Sequence, residues 1–289
     1  MSDSPLISIV LPTYNRGYTL SNALKSVIEQ TYPHWELIVV DDGSTDDTKQ
    51  VVASFNDSRI KYVYQENARQ SAARNTGLTR ASGDWICYLD SDDVFLPNYL
   101  EVMMQDLKDH PHAVFAIPKG HRLIELYENG KLIFSRDETD REFAKDPTSE
   151  GISRRTFHVM CDGLMHSSRI VADGIRFDEN LIYSEDWEFV LTLNEAYPGG
   201  FLFVPHLLYI YRMRFGGDGM VSSTDYASMA EVYKYIYEKH KDDRSMNGQD
   251  WYPRKYEEFL NLEKDYIAGR IPAFNLYYFK EIWKDQYPK

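Results

Sequence analysis

The sequence predicts an α/β protein: a mostly parallel sheet with helices packed against it, followed by a helical C-terminal extension. Three observations carry this reading. Short β-branched runs alternate with helix-spaced stretches from Leu6 to about Asp109, the rhythm of parallel strands joined by helical crossovers. Each run ends in polar, often acidic residues, where open sheets of this kind hold their ligands. From Tyr226 onward the apolar spacing is helical.

The elements follow in order. Strands are predicted at Leu6 to Leu11, Glu36 to Val40, Ile60 to Tyr64 and Trp85 to Leu89, with helices near Thr19 to Gln30, Asp46 to Phe55 and Ser71 to Ala81. Past Pro111 the rhythm changes. A strand is expected at Ala113 to Ile117, then a polar excursion or loop from about Arg136 to Arg155. Gly163 to Ile175 and Glu185 to Tyr197 read as a loop and helix pair, Phe201 to Val204 and Leu207 to Tyr211 as two short strands, and Tyr226 to His240 as a helix. Aromatics interleaved with charges from Trp251 to the end suggest two short helices.

Composition narrows the function. The 289 residues are 43% hydrophobic and 27% charged, ordinary for a globular protein with a sizeable core. A formal net charge of -13 argues against a nucleic-acid surface, which needs clustered Lys and Arg. The two cysteines, Cys87 and Cys161, give neither a disulfide framework nor a zinc spacing, and fit a reduced, cytoplasmic protein. The first residues lack the pattern of a signal peptide, and no run approaches the ~18 apolar residues of a membrane span. Peripheral contact with the inner face of a membrane stays open.

The chemistry gathers at the strand ends. Asp90, Asp92 and Asp93 follow the apolar run Trp85 to Leu89, so a buried strand delivers three mutually repelling carboxylates into one loop. Mn²⁺ or Mg²⁺, bound through such oxygens and shared with a substrate's phosphates, relieves that repulsion. The competing explanation is a capped turn before a helix near Pro97. Asp41 and Asp42 end a second apolar run; Ser44 or Thr45 can cap the next helix, which leaves these two carboxylates for a base or ribose. Arg69 and Arg74 flank Gln70 to Ala73, and either guanidinium could meet phosphate or base, or pair with carboxylates at the surface.

Four segments occur in order: Pro12-Thr13-Tyr14-Asn15-Arg16, Asp41-Asp42-Gly43-Ser44-Thr45-Asp46, Ala73-Arg74-Asn75-Thr76-Gly77 and Leu89-Asp90-Ser91-Asp92-Asp93. Together they resemble the family 2 glycosyltransferases of GT-A fold, whose sheet is Rossmann-like, over roughly the first hundred residues. The resemblance implies that Asp42, with Asp41 beside it, meets the nucleotide base, that Pro12 and Tyr14 line its pocket, and that Arg69 contacts it. Asp90 and Asp92 match the DxD pair touching ribose and metal, Asp92 being the stronger metal ligand.

Further along, Tyr183-Ser184-Glu185-Asp186-Trp187-Glu188 resembles the family's Glu-Asp motif near the acceptor. Asp186 is then the general base, with Glu185 and Trp187 beside the acceptor or diphosphate; the plain alternative is a helix start capped by Ser184. Tyr209 to Arg214 resembles the segment closing the donor site, where relatives often carry a histidine and this chain has Arg214. Arg212 or Arg214 could meet the diphosphate but cannot ligate a cation; His206 or the closing loop Gly216 to Gly219 could compensate.

The implied organisation is a nucleotide-sugar half at 1–110, an acceptor half at 111–225 and a helical extension at 226–289. The implied activity is inverting transfer from a nucleotide diphosphate sugar, with UDP favoured, to a hydroxyl of a glycan or lipid-linked acceptor in surface polysaccharide or glycoconjugate synthesis. A sugar nucleotidyltransferase is disfavoured because Pro12-Thr13-Tyr14-Asn15 stands where those enzymes carry a Gly-rich loop. A non-catalytic glycan-binding module is disfavoured by the intact carboxylates.

Overall fold

A computed structural model of the chain describes residues 4–128, 131–139, 165–215, 225–241 and 251–270. Strands β1 (Ile7–Thr13), β2 (Trp35–Asp41), β3 (Ile60–Tyr64) and β4 (Trp85–Tyr88) alternate with helices α1 (Gly17–Ile28), α2 (Thr48–Ala53) and α3 (Arg69–Arg80). All four strands pair in parallel, in the order β3-β2-β1-β4. Every residue of β1, β2 and β4 is buried, as in a sheet covered on both faces. Ile7, Ile9 and Leu11 of β1 pack with Leu20, Leu24 and Val27 of α1, Val52 of α2, and Leu100 and Met103 of α4 (Tyr99–Asp109). The other face carries Ile38 and Val40 against Ala73 of α3.

The chain lays β1, β2 and β3 down in one direction, then returns past β1 to place β4 on its other side. Such a reversal opens a crevice at the carboxyl ends of β1 and β4. Pro12 sits at that opening without loss of a bond. The Val10 carbonyl accepts from Leu89 on the β4 side, and the Thr13 carbonyl accepts from Asp42 on the β2 side. Pro12 shares the parity of Val10, so its missing N–H faces β4, whose register ends at the Val10–Tyr88 pair.

Beyond β4 the sheet becomes mixed. The two-residue strand β5 (Val94–Phe95) pairs antiparallel with β9 (Phe201–Phe215), and β8 (Met165–Ser167) lies antiparallel to both β4 and β6 (Phe115–Glu128). Strand β7 (Lys131–Thr139) pairs with β6. Helix α5 (Arg169–Ala172) is a single turn, and α6 (Glu185–Ala196) follows it.

Several expectations change here. The strand at Ala113 to Ile117 starts later and runs to Glu128. The polar excursion begins as strand β7, and its remainder lies outside the described residues. The two short strands near Phe201 and Leu207 are one strand, which passes through an exposed Pro205.

The described residues form two units, one within Met1–His121 and Thr139–Tyr211, the other within Arg122–Glu138 and Arg212–Lys289. This division differs from the three-part linear one, because residues 122–138 group with the C-terminal helices. In the second unit, α7 (Tyr226–His240) begins at Asp225, whose carboxylate accepts the Ser228 N–H at 2.7 Å. Helix α8 (Trp251–Ile267) is 17 residues long; the rest of the stretch expected to form two short helices, residues 271–289, lies outside the described residues. Tyr233 of α7 stacks on Phe259 of α8 at 5.3 Å between ring centroids, so part of the aromatic content packs within the extension itself. No helix among the described residues is long and apolar enough to cross a membrane.

Candidate active site

The loops after β1 and β2 are stitched to one another. The Asn15 N–H donates to Ser44 Oγ at 2.9 Å, and Asn15 Oδ1 accepts from the Thr45 N–H at 2.8 Å. Asp46 accepts from the Gly17 and Thr48 amides, both at 3.0 Å. Ser44 and Thr45 therefore brace the neighbouring loop instead of capping α2, whose first amide is bound by Asp46. A Cβ on Gly17 would lie 2.0 Å from Asp47 Oδ1, so a larger residue there would displace the Asp47 side chain.

Asp41 and Asp42 are both buried but differ in what holds them. Asp41 accepts from the Ser44 N–H at 2.8 Å and from the Tyr62 hydroxyl at 2.5 Å. It is spent on shaping the loop. Asp42 accepts from Gln65 Nε2 at 2.6 Å and from the Ala68 N–H at 2.9 Å. Its burial pushes its carboxyl above the ordinary range against those bonds, and the charge of Asp41 adds to the rise. Tyr14 is 48% exposed, whereas Pro12, expected with it in a base pocket, is buried in β1. Arg69 is exposed at the first position of α3.

The Asp90 to Asp93 loop leaves β4 at the crevice. Both oxygens of Asp90 accept from Gln70 Nε2, at 3.3 and 3.2 Å, and from Arg74 Nη2, at 2.9 and 3.2 Å. Asp92 is partly exposed and Asp93 is buried. The capped-turn explanation does not hold, because β5 follows the loop and α4 starts at Tyr99 behind Asn98, which makes no side-chain cap bond.

Arg74 is the residue that the sequence did not single out for this place. It is 2% exposed, so it is no surface arginine, and its Nη1 donates to Glu185 Oε1 at 2.7 Å while Nη2 holds Asp90. One planar guanidinium thus joins the loop after β4 to the first residue of α6. Asn75 makes a second junction. Its Nδ2 donates to the Phe177 carbonyl at 2.9 Å and its Oδ1 accepts the Phe177 N–H at 2.9 Å, with a further bond to Glu179 at 2.8 Å. Beneath them Phe177 and Phe189 stack at 4.0 Å, and Tyr88 meets Phe177 edge-on. His166 accepts from the Tyr88 hydroxyl through Nε2 at 2.7 Å, and burial brings it down to about 4, so this layer is neutral at neutral pH.

Asp186 lies in the first turn of α6, partly exposed, its Oδ1 accepting the Trp187 N–H at 2.7 Å. Ser184 precedes the helix with φ 58° and no side-chain cap bond, so the capping explanation fails here too. Only three non-glycine residues in the described chain have positive φ: Asn15, Arg69 and Ser184. Each adjoins an expected site residue or is one, and each conformation costs about 1–3 kcal/mol.

Other expected contacts fall elsewhere. Glu185 is taken by Arg74, and Trp187 is 2% exposed, which removes its ring from direct acceptor contact. Arg214 is buried in an ion pair with Glu125, at 3.2 Å, in the second unit; this internal pairing counts against its expected diphosphate role. Arg212 is partly buried on the same strand, His206 is exposed, and Gly216 to Gly219 lie outside the described residues.

A cation at this edge would meet oxygen donors, with Asp92 partly exposed and Asp90, held by Arg74 and Gln70, two residues before it. Among the described residues no group of three or more His, Cys, Asp or Glu side chains gathers as a metal cage. That donor set suits a hard divalent ion held by one or two carboxylates, with phosphate oxygens and water completing it.

Comparison with known proteins agrees with this architecture. The pattern described as "Glycosyl transferase family 2" matches residues 8–165. The chain is 48% identical over 103 residues to the UDP-Glc:alpha-D-GlcNAc-diphosphoundecaprenol beta-1,3-glucosyltransferase WfgD of Escherichia coli, a match spanning 35% of this chain and 41% of that one. It thus spans about two fifths of that relative's length. Among solved structures, S. aureus TarS in complex with UDP-GlcNAc superposes with a TM-score of 0.66 at 23% identity, covering 89% of this chain and 72% of that one. The mannosyltransferase PcManGT of Pyrobaculum calidifontis, in complex with GDP-Man and Mn2+, gives 0.61 at 16% identity, covering 97% and 81%. The chain has their GT-A fold, and by its match over residues 8–165 it belongs to glycosyl transferase family 2.

Proposed function

We propose that this protein is an inverting glycosyltransferase that moves a sugar from a UDP-sugar to a hydroxyl of a glycan or lipid-linked acceptor. The observation that carries the reading is the meeting of Asp90 with Arg74, Glu185 and, beside it, Asp186 at the crevice between β1 and β4. Asp42, Tyr14 and Arg69 form the nucleoside side, and Asp90 takes the ribose. Family membership supports the transferase class, and the name of the Escherichia coli relative supports UDP-glucose and a diphosphoundecaprenol-linked acceptor as the first donor and acceptor to try.

Asp92, with Asp90 beside it, would hold Mn²⁺ or Mg²⁺; the ion, when bound, offsets the negative charge of the departing diphosphate. The Mn2+ complex of the mannosyltransferase supports this expectation. Asp186 takes the proton of the acceptor hydroxyl as its oxygen attacks the anomeric carbon from the face opposite the leaving group. The bond from that carbon to the diphosphate oxygen breaks, and UDP leaves. Its placement on the first turn of a helix with a buried aromatic layer below keeps the carboxylate from drifting. Synthesis of a surface polysaccharide or glycoconjugate at the cytoplasmic face of a membrane is the setting that fits such an acceptor.

A thermal-shift panel of UDP, UDP-glucose, UDP-GlcNAc and GDP-mannose, each with and without Mn²⁺, tests the reading, because a ligand of the native state raises its melting temperature. A UDP compound with Mn²⁺ is expected to give the largest rise. A response to GDP-mannose alone would replace the donor, and no response to any nucleotide would end the reading.

A further inference from the structure

The segment Ala73-Arg74-Asn75-Thr76-Gly77 has no task in the chemistry above, yet it makes the contacts that hold the two sides of the site together. Arg74 spans 16 residues of sequence to Asp90 and 111 to Glu185, with one guanidinium nitrogen on each. Asn75 spans 102 residues to clamp both the N–H and the carbonyl of Phe177, on the approach to α6. Helix α3 itself is pressed onto β1, since a Cβ at Gly77 would lie 2.3 Å from Val10 Cγ1. The strut is therefore anchored to the strand that ends in the nucleoside loop.

We propose that Arg74 and Asn75 are positioning residues that set Asp186 at its working distance from the donor. Arg74 does so through Glu185, the preceding residue, while its second nitrogen fixes Asp90 on the donor side; Asn75 does so by holding the chain that leads to Ser184. The inference rests on the reading of Asp186 as the base and Asp90 as a donor contact. Lysine cannot replace Arg74, because a single ammonium lacks the planar fork that reaches two carboxylates in opposite directions. Alanine at position 75 removes the clamp without touching a carboxylate of the donor loop.

The test compares Asn75→Ala and Arg74→Lys with the parent chain, each alone and combined with Asp186→Asn. Three quantities are followed: melting temperature, UDP affinity in Mn²⁺, and kcat for hydrolysis of UDP-glucose and UDP-GlcNAc. Asn75→Ala is expected to keep UDP affinity within about threefold while kcat falls about tenfold or more. Arg74→Lys is expected to lower both, since it also frees Asp90. In the Asp186→Asn background, Asn75→Ala is expected to lower kcat by less than twofold, as groups that act through one another are not additive.

Equal losses from Asn75→Ala with and without Asp186 would assign the clamp a purely structural role and overturn the proposal. So would a kcat unchanged by Asn75→Ala in a folded protein. If Arg74→Lys fails to fold, the Asn75→Ala pair alone decides. A parent chain that binds no UDP would instead defeat the donor assignment, and the positioning claim would fall with it.

Discussion

The two ends of the parallel sheet hold buried carboxylates in opposite ways. At the amino end Glu36 of β2 accepts from the Ser8 hydroxyl at 2.5 Å, from the Ser82 N–H and hydroxyl at 2.7 and 2.8 Å, and from Lys61. Burial alone would raise it, but these bonds outweigh burial and bring it to about 2. At the carboxyl end two carboxylates, Asp90 and Glu185, share one buried cation, Arg74, while Asp42 has only Gln65 and the Ala68 N–H against its burial. Four ligands for one carboxylate make a closed device for stability. The carboxyl end instead carries the residues proposed to meet the donor, Asp42, Asp90 and Asp92. The contrast separates residues that hold the fold from residues proposed to meet a substrate.

The largest effect is expected at the open end. Asp186→Asn should lower donor turnover roughly 1,000-fold, about 4 kcal/mol of barrier, with the melting temperature nearly unchanged. Steady-state kinetics beside a thermal melt checks both halves. Turnover within threefold of the parent chain would break the comparison.

At the closed end the expected effect is on stability. Glu36 lies below its ordinary value of 4.5 when folded, so its contribution is complete above about pH 4.5 and is lost as the pH falls toward about 2. A shift of that size corresponds to on the order of 3 kcal/mol. Glu36→Gln should destabilise the protein by about 1–3 kcal/mol near pH 7 and flatten the acid limb of a urea-melt series. An acid limb identical to the parent's would remove Glu36 from the account.

Gly77→Ala should cost about 1–3 kcal/mol through the overlap with Val10, read as a lower denaturation midpoint. The smallest stability effect is expected at Asp42, whose folded value is raised. Folding favours its protonated form, and that contribution is present below the ordinary value of 3.8 and lost as the pH rises through the folded value. Asp42→Asn keeps an acceptor oxygen for Gln65 and Ala68, so stability at pH 7 should change by less than about 1 kcal/mol. UDP affinity, measured by calorimetry, should fall about tenfold.

Much of this contrast was legible in the sequence, for identifiable reasons. Strands β1, β2 and β4 are wholly buried and β3 is β-branched, so their apolar runs mark all four to within about two residues. The acidic residues after β2 and β4 could be read because the strands end beside them. The short strands β5 and β8 left no periodic signal, and Pro205 made one long strand look like two. Arg74 could not be placed, because its partners are distant in sequence and only the fold brings α3 beside α6. The same is true of Glu36, whose four ligands come from β1, β3 and the turn before β4. Trp187 and Arg214 looked available from their motifs and proved buried, since a motif does not say which way a side chain faces.

Titration calorimetry of UDP against the parent chain and Asp92→Ala, in Mn²⁺ and in a chelator, addresses the central claim most directly. The parent is expected to bind UDP at least tenfold more tightly with Mn²⁺, and Asp92→Ala to bind equally weakly in both conditions. UDP binding indifferent to the metal, or a full metal effect retained in Asp92→Ala, would contradict a diphosphate and cation site at the carboxyl ends of β1 and β4.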